Sequence, residues 1–316
     1  MSVVPRLTAD YQAITEGCGL LDRSERGKLA LRGGDAKEFL QGQVSNDVEA
    51  LTPGTGCYAA LLTPKGKMLG DLRILDTGDE LLLDTERLAL QELFNMIRRF
   101  SIGYDVELRK RTLERGLLSL IGPAADGLLP EPPDVAEHAH CVAELGGIVV
   151  RAIRTDTGVD LLCDAARTET LRDALVDAGA IPVSEEAAEC LRIERGRPRY
   201  GLDLDDTVIP QEAGLNARAV SFTKGCYVGQ ETVARLYYRG KPNRHLRGLR
   251  CAAPVERGDE VSYEGRPVGR VGSLTVSPRL GPLALALVRR EAPPGSDVEV
   301  GEGRVSATVT ELPFPA

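Results

Sequence analysis

The chain of 316 residues contains no tryptophan, five phenylalanines, eight tyrosines and three methionines. Its core must therefore be aliphatic, filled by branched chains and alanine rather than by large rings. Lysine is scarce too, seven of the 39 bases, and the net charge is −8. That balance excludes the bulk positive field on which nucleic-acid and anionic-lipid binders rely. No run approaches the roughly 18 apolar residues of a membrane span, and the opening Met-Ser-Val-Val-Pro-Arg-Leu lacks the basic-then-apolar order of a leader. No Gly-x-Gly-x-x-Gly follows a strand pattern, so a dinucleotide fingerprint is absent. The seven cysteines (18, 57, 141, 163, 190, 226 and 251) stand singly, without the Cys-x-x-Cys spacing of a metal knuckle. An odd, scattered set does not read as a disulfide framework and points to a reduced, cytoplasmic compartment.

The length implies two or three packed units. Residues 29–31 read as a strand that enters a helix capped by Asp35, with Glu38 three residues on. Residues 57–63 and 68–75 are apolar runs joined by Pro64-Lys65-Gly66-Lys67, a hairpin. A strand at 81–84 and an amphipathic helix over 86–100 follow. Strands at 116–121, 147–154 and 158–163 precede helices over 168–178 and 184–195, the latter capped by Ser184. Beyond Gly240 the texture changes to short alternating strands broken by Gly and Pro, which suits a small antiparallel barrel. The expectation is an α+β protein with antiparallel sheets. Its units are 1–112, an N-terminal α+β domain, 113–240, a second α+β domain, and 241–316, a C-terminal β-barrel.

Chemistry concentrates in Lys224-Gly225-Cys226-Tyr227-Val228-Gly229-Gln230-Glu231. A cation two residues before a thiol favours the thiolate, and the flanking glycines let a ligand approach the main chain. Tyr227, Gln230 and Glu231 add a ring, an amide and a carboxylate; the plain alternative is a tight turn around a structural cysteine. On the 184–195 helix, Glu194 shares the inward face with Ala187, Cys190 and Leu191. An inward carboxylate needs a partner, either a ligand or an arginine such as Arg192 or Arg197. Between Ala213 and Arg250 eight bases, Arg239 and Arg244 among them, meet one acid, Glu231. Such a cluster suits an anionic small molecule; single-stranded RNA stacked on Tyr227, Tyr237 and Tyr238 is the rival, and no nucleic-acid signature accompanies it.

The eight-residue stretch Lys224–Glu231 resembles the signature of the YgfZ family of folate-binding proteins, relatives of the glycine cleavage T-protein. Two further blocks are similar: Phe39 to Val48 with Leu62 to Met68, and Leu191 to Asp203 with Ile209 to Ala213. The resemblance implies a disc of two ferredoxin-like α+β domains and a barrel around a tetrahydrofolate channel. It implies that Glu194 pairs with the pterin edge, that Asn46, Asp71, Tyr227, Gln230, Glu231 and Arg239 line the folate site, and that Cys226, tuned by Lys224, carries the reactive thiol. The basic stretch would receive the folate's glutamate tail. YgfZ-type proteins support iron–sulfur enzymes, so folate and iron–sulfur proteins or their assembly factors are the implied partners, with no resident metal. The alternatives are a folate-dependent aminomethyltransferase and a scaffold with a vestigial pocket. In T-proteins an aspartate pair follows the hairpin; here Gly70-Asp71 stands in that place.

Overall fold

The computed structural model describes residues 3–315. Two sheets, antiparallel except for one parallel edge pair in the second, pack face to face and a closed barrel completes the molecule. The first sheet has the order β3-β4-β5-β2-β6, from β2 (Gly27–Arg32), β3 (Gly56–Leu62), β4 (Met68–Asp76), β5 (Leu81–Thr85) and β6 (Glu107–Lys110). Helices α2 (Ala36–Gln43) and α3 (Leu90–Phe100) cover one face, burying Phe39, Leu40, Leu93 and Ile97 against Leu29, Leu31, Ile74 and Leu83. Four of these strands run β6-β2-β5-β4, the ferredoxin-like arrangement, and the hairpin extends it by β3.

The second sheet is ordered β11-β1-β7-β10-β9-β8. It comprises β1 (Gly19–Asp22), β7 (Arg115–Ile121), β8 (His140–Leu145), β9 (Ile148–Arg154), β10 (Gly158–Asp164) and β11 (Ile181–Pro182), covered by α4 (Thr168–Asp177). The expected division at residue 112 is corrected here. Helix α1 (Val3–Glu16) and β1 belong to the second sheet, with β1 wedged between β11 and β7. Ala13 and Ile14 of α1 pack on Ala187, Ala188 and Leu191 of α5 (Glu185–Glu194). The chain returns in the opposite sense after α5. Residues 200–239, with α6 (Asn216–Ala219) and α7 (Gln230–Arg239), lie on the first sheet. The reason is apolar: Ala60, Leu62 and Met68 on the far face of the hairpin need cover, and Leu204, Leu215, Tyr227 and Val233 supply it.

The sheets meet through Ala30, Leu75, Leu82, Ile153 and Leu162. A buried ion pair crosses the same seam, with the Arg73 guanidinium 2.8 Å from Asp160 and 2.7 Å from Asp84. The barrel runs β12 (Arg244–Cys251), β15 (Gly281–Arg289), β14 (Arg266–Ser277), β13 (Glu260–Tyr263), β16 (Asp297–Val300) and β17 (Val305–Thr310), which pairs back on β12. Its interior is aliphatic, with Leu249, Val261, Ala284, Val300 and Val309, as a chain without tryptophan requires.

The two expected side-chain caps do not form. Asp35 Oδ2 instead accepts the Asp105 amide at 2.7 Å, and Ser184 Oγ caps no amide while its own N–H reaches Asp10 at 2.9 Å. Helix α3 begins at Leu90 rather than at 86, because Glu86 turns toward the seam between the sheets to meet Arg26 and Arg199.

Candidate functional site

Where the sheets part, a cavity opens in two adjoining lobes of about 210 Å³ each, with Asp71, Tyr58, Arg26 and Arg218 in the walls of both. Together they fall within the ordinary size of a ligand pocket, roughly 300–1,000 Å³. Strand β4 delivers Asp71 and its partner β3 delivers Tyr58, whose hydroxyl donates to Asp71 Oδ2 at 2.6 Å. Asp71 is 7% exposed. Burial, opposed by the Tyr58 bond and helped by Glu86, pushes its carboxyl up to about 6. The group therefore exchanges a proton near neutrality. Tyr58 is held well above its ordinary range by burial and by the Asp71 charge.

The outer lobe is walled by Arg195, Arg197, Arg199 and Tyr200, and by Glu189. Arg199 is anchored by Glu86, Glu185 and Glu189 at 2.9–3.1 Å. The inner lobe reaches Glu137 and His138. Burial lowers the His138 imidazole to about 3, so it stays neutral. Arg218 Nε and His138 Nδ1 are buried with no hydrogen-bond partner among the described residues. A larger groove, about 450 Å³, lies between the barrel wall and residues 202–207. Its Asp203 and Arg244 are already taken, by Arg192 and Ser273 and by Glu212.

The Lys224–Glu231 stretch lies elsewhere. The Lys224 ammonium donates to the carbonyls of Gln41, Val44 and Asn46 at 2.5, 2.8 and 2.7 Å. That spends its donors inside the first domain, and the expectation that it tunes Cys226 is corrected: it ties the loop to α2 and the segment after it. Tyr227 is a core residue, 7% exposed, rather than a ligand platform. Cys226 is the one exposed cysteine among the described residues. Gln230 opens α7, Glu231 is exposed on its first turn and Arg239 exposed at its end, and none of them lines either lobe or the groove. Asn46 donates to the carbonyls of Tyr58 (2.8 Å) and Arg218 (3.1 Å), so it serves the cavity from behind.

Glu194 is buried as its helix face requires, yet it turns toward α1 and the barrel. Its oxygens accept Tyr11 Oη at 2.8 Å, Ser277 Oγ at 2.5 Å and Arg279 at 3.4 Å. Neither Arg192 nor Arg197 is its partner, and it lines none of the cavities described above. Glu194 and Cys226 thus share no cavity. The basic stretch also disperses in space: Arg218 pairs with Glu137, Arg244 with Glu212 and Arg247 with Glu311, while Lys224 is buried. Arg235, Arg239 and Lys241 stay exposed on and just after α7, away from the cavity walls.

Residues 2–224 match the GCVT N-terminal domain, and residues 244–315 match the glycine cleavage T-protein C-terminal barrel domain. The chain belongs to the glycine cleavage T-protein family. An aminomethyltransferase of Deinococcus deserti is 32% identical over 98% of this chain and 88% of its own length. A chloroplastic transferase of Arabidopsis thaliana is 29% identical over 96% of this chain and 73% of its own. The crystal structure of the glycine cleavage system aminomethyltransferase T from Bartonella henselae overlays with a TM-score of 0.87 at 24% identity, covering 98% of this chain and 89% of that one. At that identity the overlay speaks for the fold. Tetrahydrofolate is the cofactor of this family.

Gly70, the residue before Asp71, lies on the side of β4 away from the cavity. A Cβ built there would lie 2.8 Å from the Ala89 methyl, whereas Asp71, one residue on and pointing to the opposite side of β4, lines both lobes. Of the Gly70-Asp71 pair, the carboxylate is the member that faces the cavity. Arg26, Glu86 and Arg199 carry no sequence signal of their own. Tyr58 alone was accessible, as the residue of the hairpin's first strand two places from Ala60, which pairs with Asp71.

Proposed function

We propose that this protein is a tetrahydrofolate-dependent one-carbon transferase, acting on an aminomethyl-type donor at the Asp71–Tyr58 pair. The observation that carries the reading is a buried carboxyl, shifted to about 6, that receives a tyrosine hydroxyl at 2.6 Å inside a cavity between two sheets. The donor set suits the cofactor. Tyr58 and Tyr200 bring rings to the wall for a pterin, and Arg195, which pairs with no carboxylate among the described residues, suits a carboxylate of its glutamate. Arg218, whose Nε–H is buried without a partner among the described residues, lines both lobes.

Bound tetrahydrofolate supplies the nitrogen nucleophiles that take up the one-carbon unit. Asp71 exchanges the proton that this transfer displaces, which a carboxyl near 6 does readily in either direction. Tyr58 donates to Oδ2 and so leaves the other oxygen for that exchange. Asp71 itself is buried, with little contact with bulk water.

Titrating tetrahydrofolate calorimetrically, and assaying ammonia and methylene-folate released from an aminomethyl carrier, tests this. Asp71→Asn binds the folate and loses turnover by about 10²–10⁴-fold. Turnover within tenfold of wild type in that variant, or no folate binding by the wild type, sinks the proposal. The wild-type rate should also rise with pH along a limb near 6, since the base form of Asp71 accepts the proton.

A second reading rests on Cys226, whose exposure at the entry to α7 leaves its thiol open to a partner protein. It gives the protein a YgfZ-type role in supporting iron–sulfur enzymes, with Cys226 as a transient thiol. In cells lacking the protein, iron–sulfur enzyme activity restored equally by wild type and Cys226→Ala removes it.

A further inference from the structure

The inner lobe contains an arrangement that a plain cavity wall does not need. The Arg218 guanidinium carbon lies 5.3 Å from the centre of the Tyr58 ring, over its face. Its far side bonds Glu137, which comes from the other sheet's loop. Behind them, the single Asn46 side chain donates to the main-chain carbonyls of both Tyr58 and Arg218 and so fixes the two backbones side by side. The neighbour of Glu137, His138, sits at φ 72°, a conformation a non-glycine residue adopts only when its surroundings demand it. The demand is visible: the His138 amide bonds the Arg154 carbonyl at 3.0 Å, while the Arg154 guanidinium holds Asp126 and the carbonyls of Pro133 and Asp134. The strained turn aims Glu137 at Arg218.

We infer that Arg218 is a positioning residue for the Asp71–Tyr58 pair, pressed onto the tyrosine ring by Glu137 and aligned with it by Asn46. Tyr58's hydroxyl can reach Asp71 Oδ2 only while its ring plane is held, and the guanidinium supplies a flat lid for that plane. The groups facing the pair from all sides are Arg26 from the turn before β2, Asp84 at the end of β5, Glu86 just beyond it, and Arg218 itself. Arg26 and Arg218 favour the phenolate of Tyr58, while Asp84 and Glu86 disfavour a charged Asp71. Arg218 is the one of these that touches the ring without being bonded to either carboxylate of the β5 end. This inference rests on the reading of Asp71 as the proton-exchanging group.

The test titrates the Asp71 carboxyl carbon by NMR in ligand-free full-length protein, with Asp71→Asn identifying the resonance. Arg218→Gln should raise the Asp71 midpoint by about one unit, as the ring is released and its hydrogen bond to the carboxylate weakens. Arg218→Lys, which keeps the charge and loses the flat lid, should recover part of that shift. Glu137→Gln, which leaves Arg218 in place but replaces its ion pair by a weaker neutral hydrogen bond, should give a smaller shift of the same sign, and it stands in should Arg218→Gln fail to fold. The acid limb of the transfer rate should move with the NMR midpoint. No shift in either Gln variant overturns the inference, and so does full recovery by Lys, which would make the effect one of charge alone. If the wild type transfers nothing while the midpoints move as stated, the functional reading falls and the positioning role stands.

Discussion

At the scale of single residues, position in the chain proved a poor guide to direction in space. Lys224 stands two places before Cys226, and that spacing suggests a cation beside a thiol. The side chain instead runs into the first domain, where burial lowers its ammonium to about 8 while three carbonyls accept its protons. Its substitution is therefore a structural event. Lys224→Met leaves those carbonyls without a donor and should cost about 2–4 kcal/mol in urea unfolding. Cys226→Ser, on an exposed side chain, should stay within about 0.5 kcal/mol. Exposure also sets reactivity: Cys226 should be alkylated ahead of the other six, of which Cys18, Cys163, Cys190 and Cys251 are buried. Equal rates for all seven, read by mass spectrometry, would contradict this. Glu194 teaches the same lesson from the other side. Helical periodicity correctly places it inward, but periodicity cannot say which neighbour the inward face meets, and here that is Tyr11 and the barrel rather than a cavity.

At the scale of elements, the two glycines of the cysteine loop look interchangeable in sequence and differ in the fold. Gly229 caps α7 at φ 86°, and a Cβ there would come within 2.6 Å of the Thr63 carbonyl oxygen. Gly225 has nothing within 4 Å of such an atom and no positive φ. Gly229→Ala should thus cost about 1–3 kcal/mol, through left-handed strain and contact with the hairpin turn. Gly225→Ala should cost less than about 1 kcal/mol, the comparison being made by thermal unfolding. The hairpin was legible because Pro-Lys-Gly-Lys between two apolar runs leaves few alternatives, and Gly66 sits at φ 74° as such a turn wants. The barrel was legible from its broken alternation. What could not be read was membership: β1 pairs with strands a hundred residues away, and α7 covers a sheet made at the other end of the chain. Both depend on which apolar face lacks cover, a property of the assembled sheets. The cavity was hidden for the same reason, since Tyr58, Glu86, Arg199 and Arg218 meet only when both sheets are built.

At the scale of the whole molecule, the seam that makes the cavity also sets the response to acid. Burial depresses His138 to about 3 and His140 to about 4, against 6.5 for a free imidazole. At pH 5 the unfolded chain holds both protons and the folded one holds neither. The stability they supply is complete above about pH 6.5 and is lost as pH falls toward 4. Asp71 acts in the opposite sense: folded near 6 and unfolded near 3.8, it carries a proton at pH 5 only when folded. Burial lowers the half-buried His245 in the same direction as the other two histidines. The unfolded state thus binds between one and two more protons than the folded state. Stability should then fall by about 1.4–2.8 kcal/mol for each pH unit lost around pH 5. Two variants separate the contributions in opposite directions. Asp71→Asn removes the opposing proton and should steepen the slope by about one proton, or about 1.4 kcal/mol per unit. His138→Asn keeps a side chain that tolerates positive φ and should flatten the slope by the same amount. Urea unfolding between pH 4.5 and 6.5 measures all three. Equal slopes in wild type and both variants would mean that neither group carries the shifted protonation on which the proposed chemistry of the cavity depends.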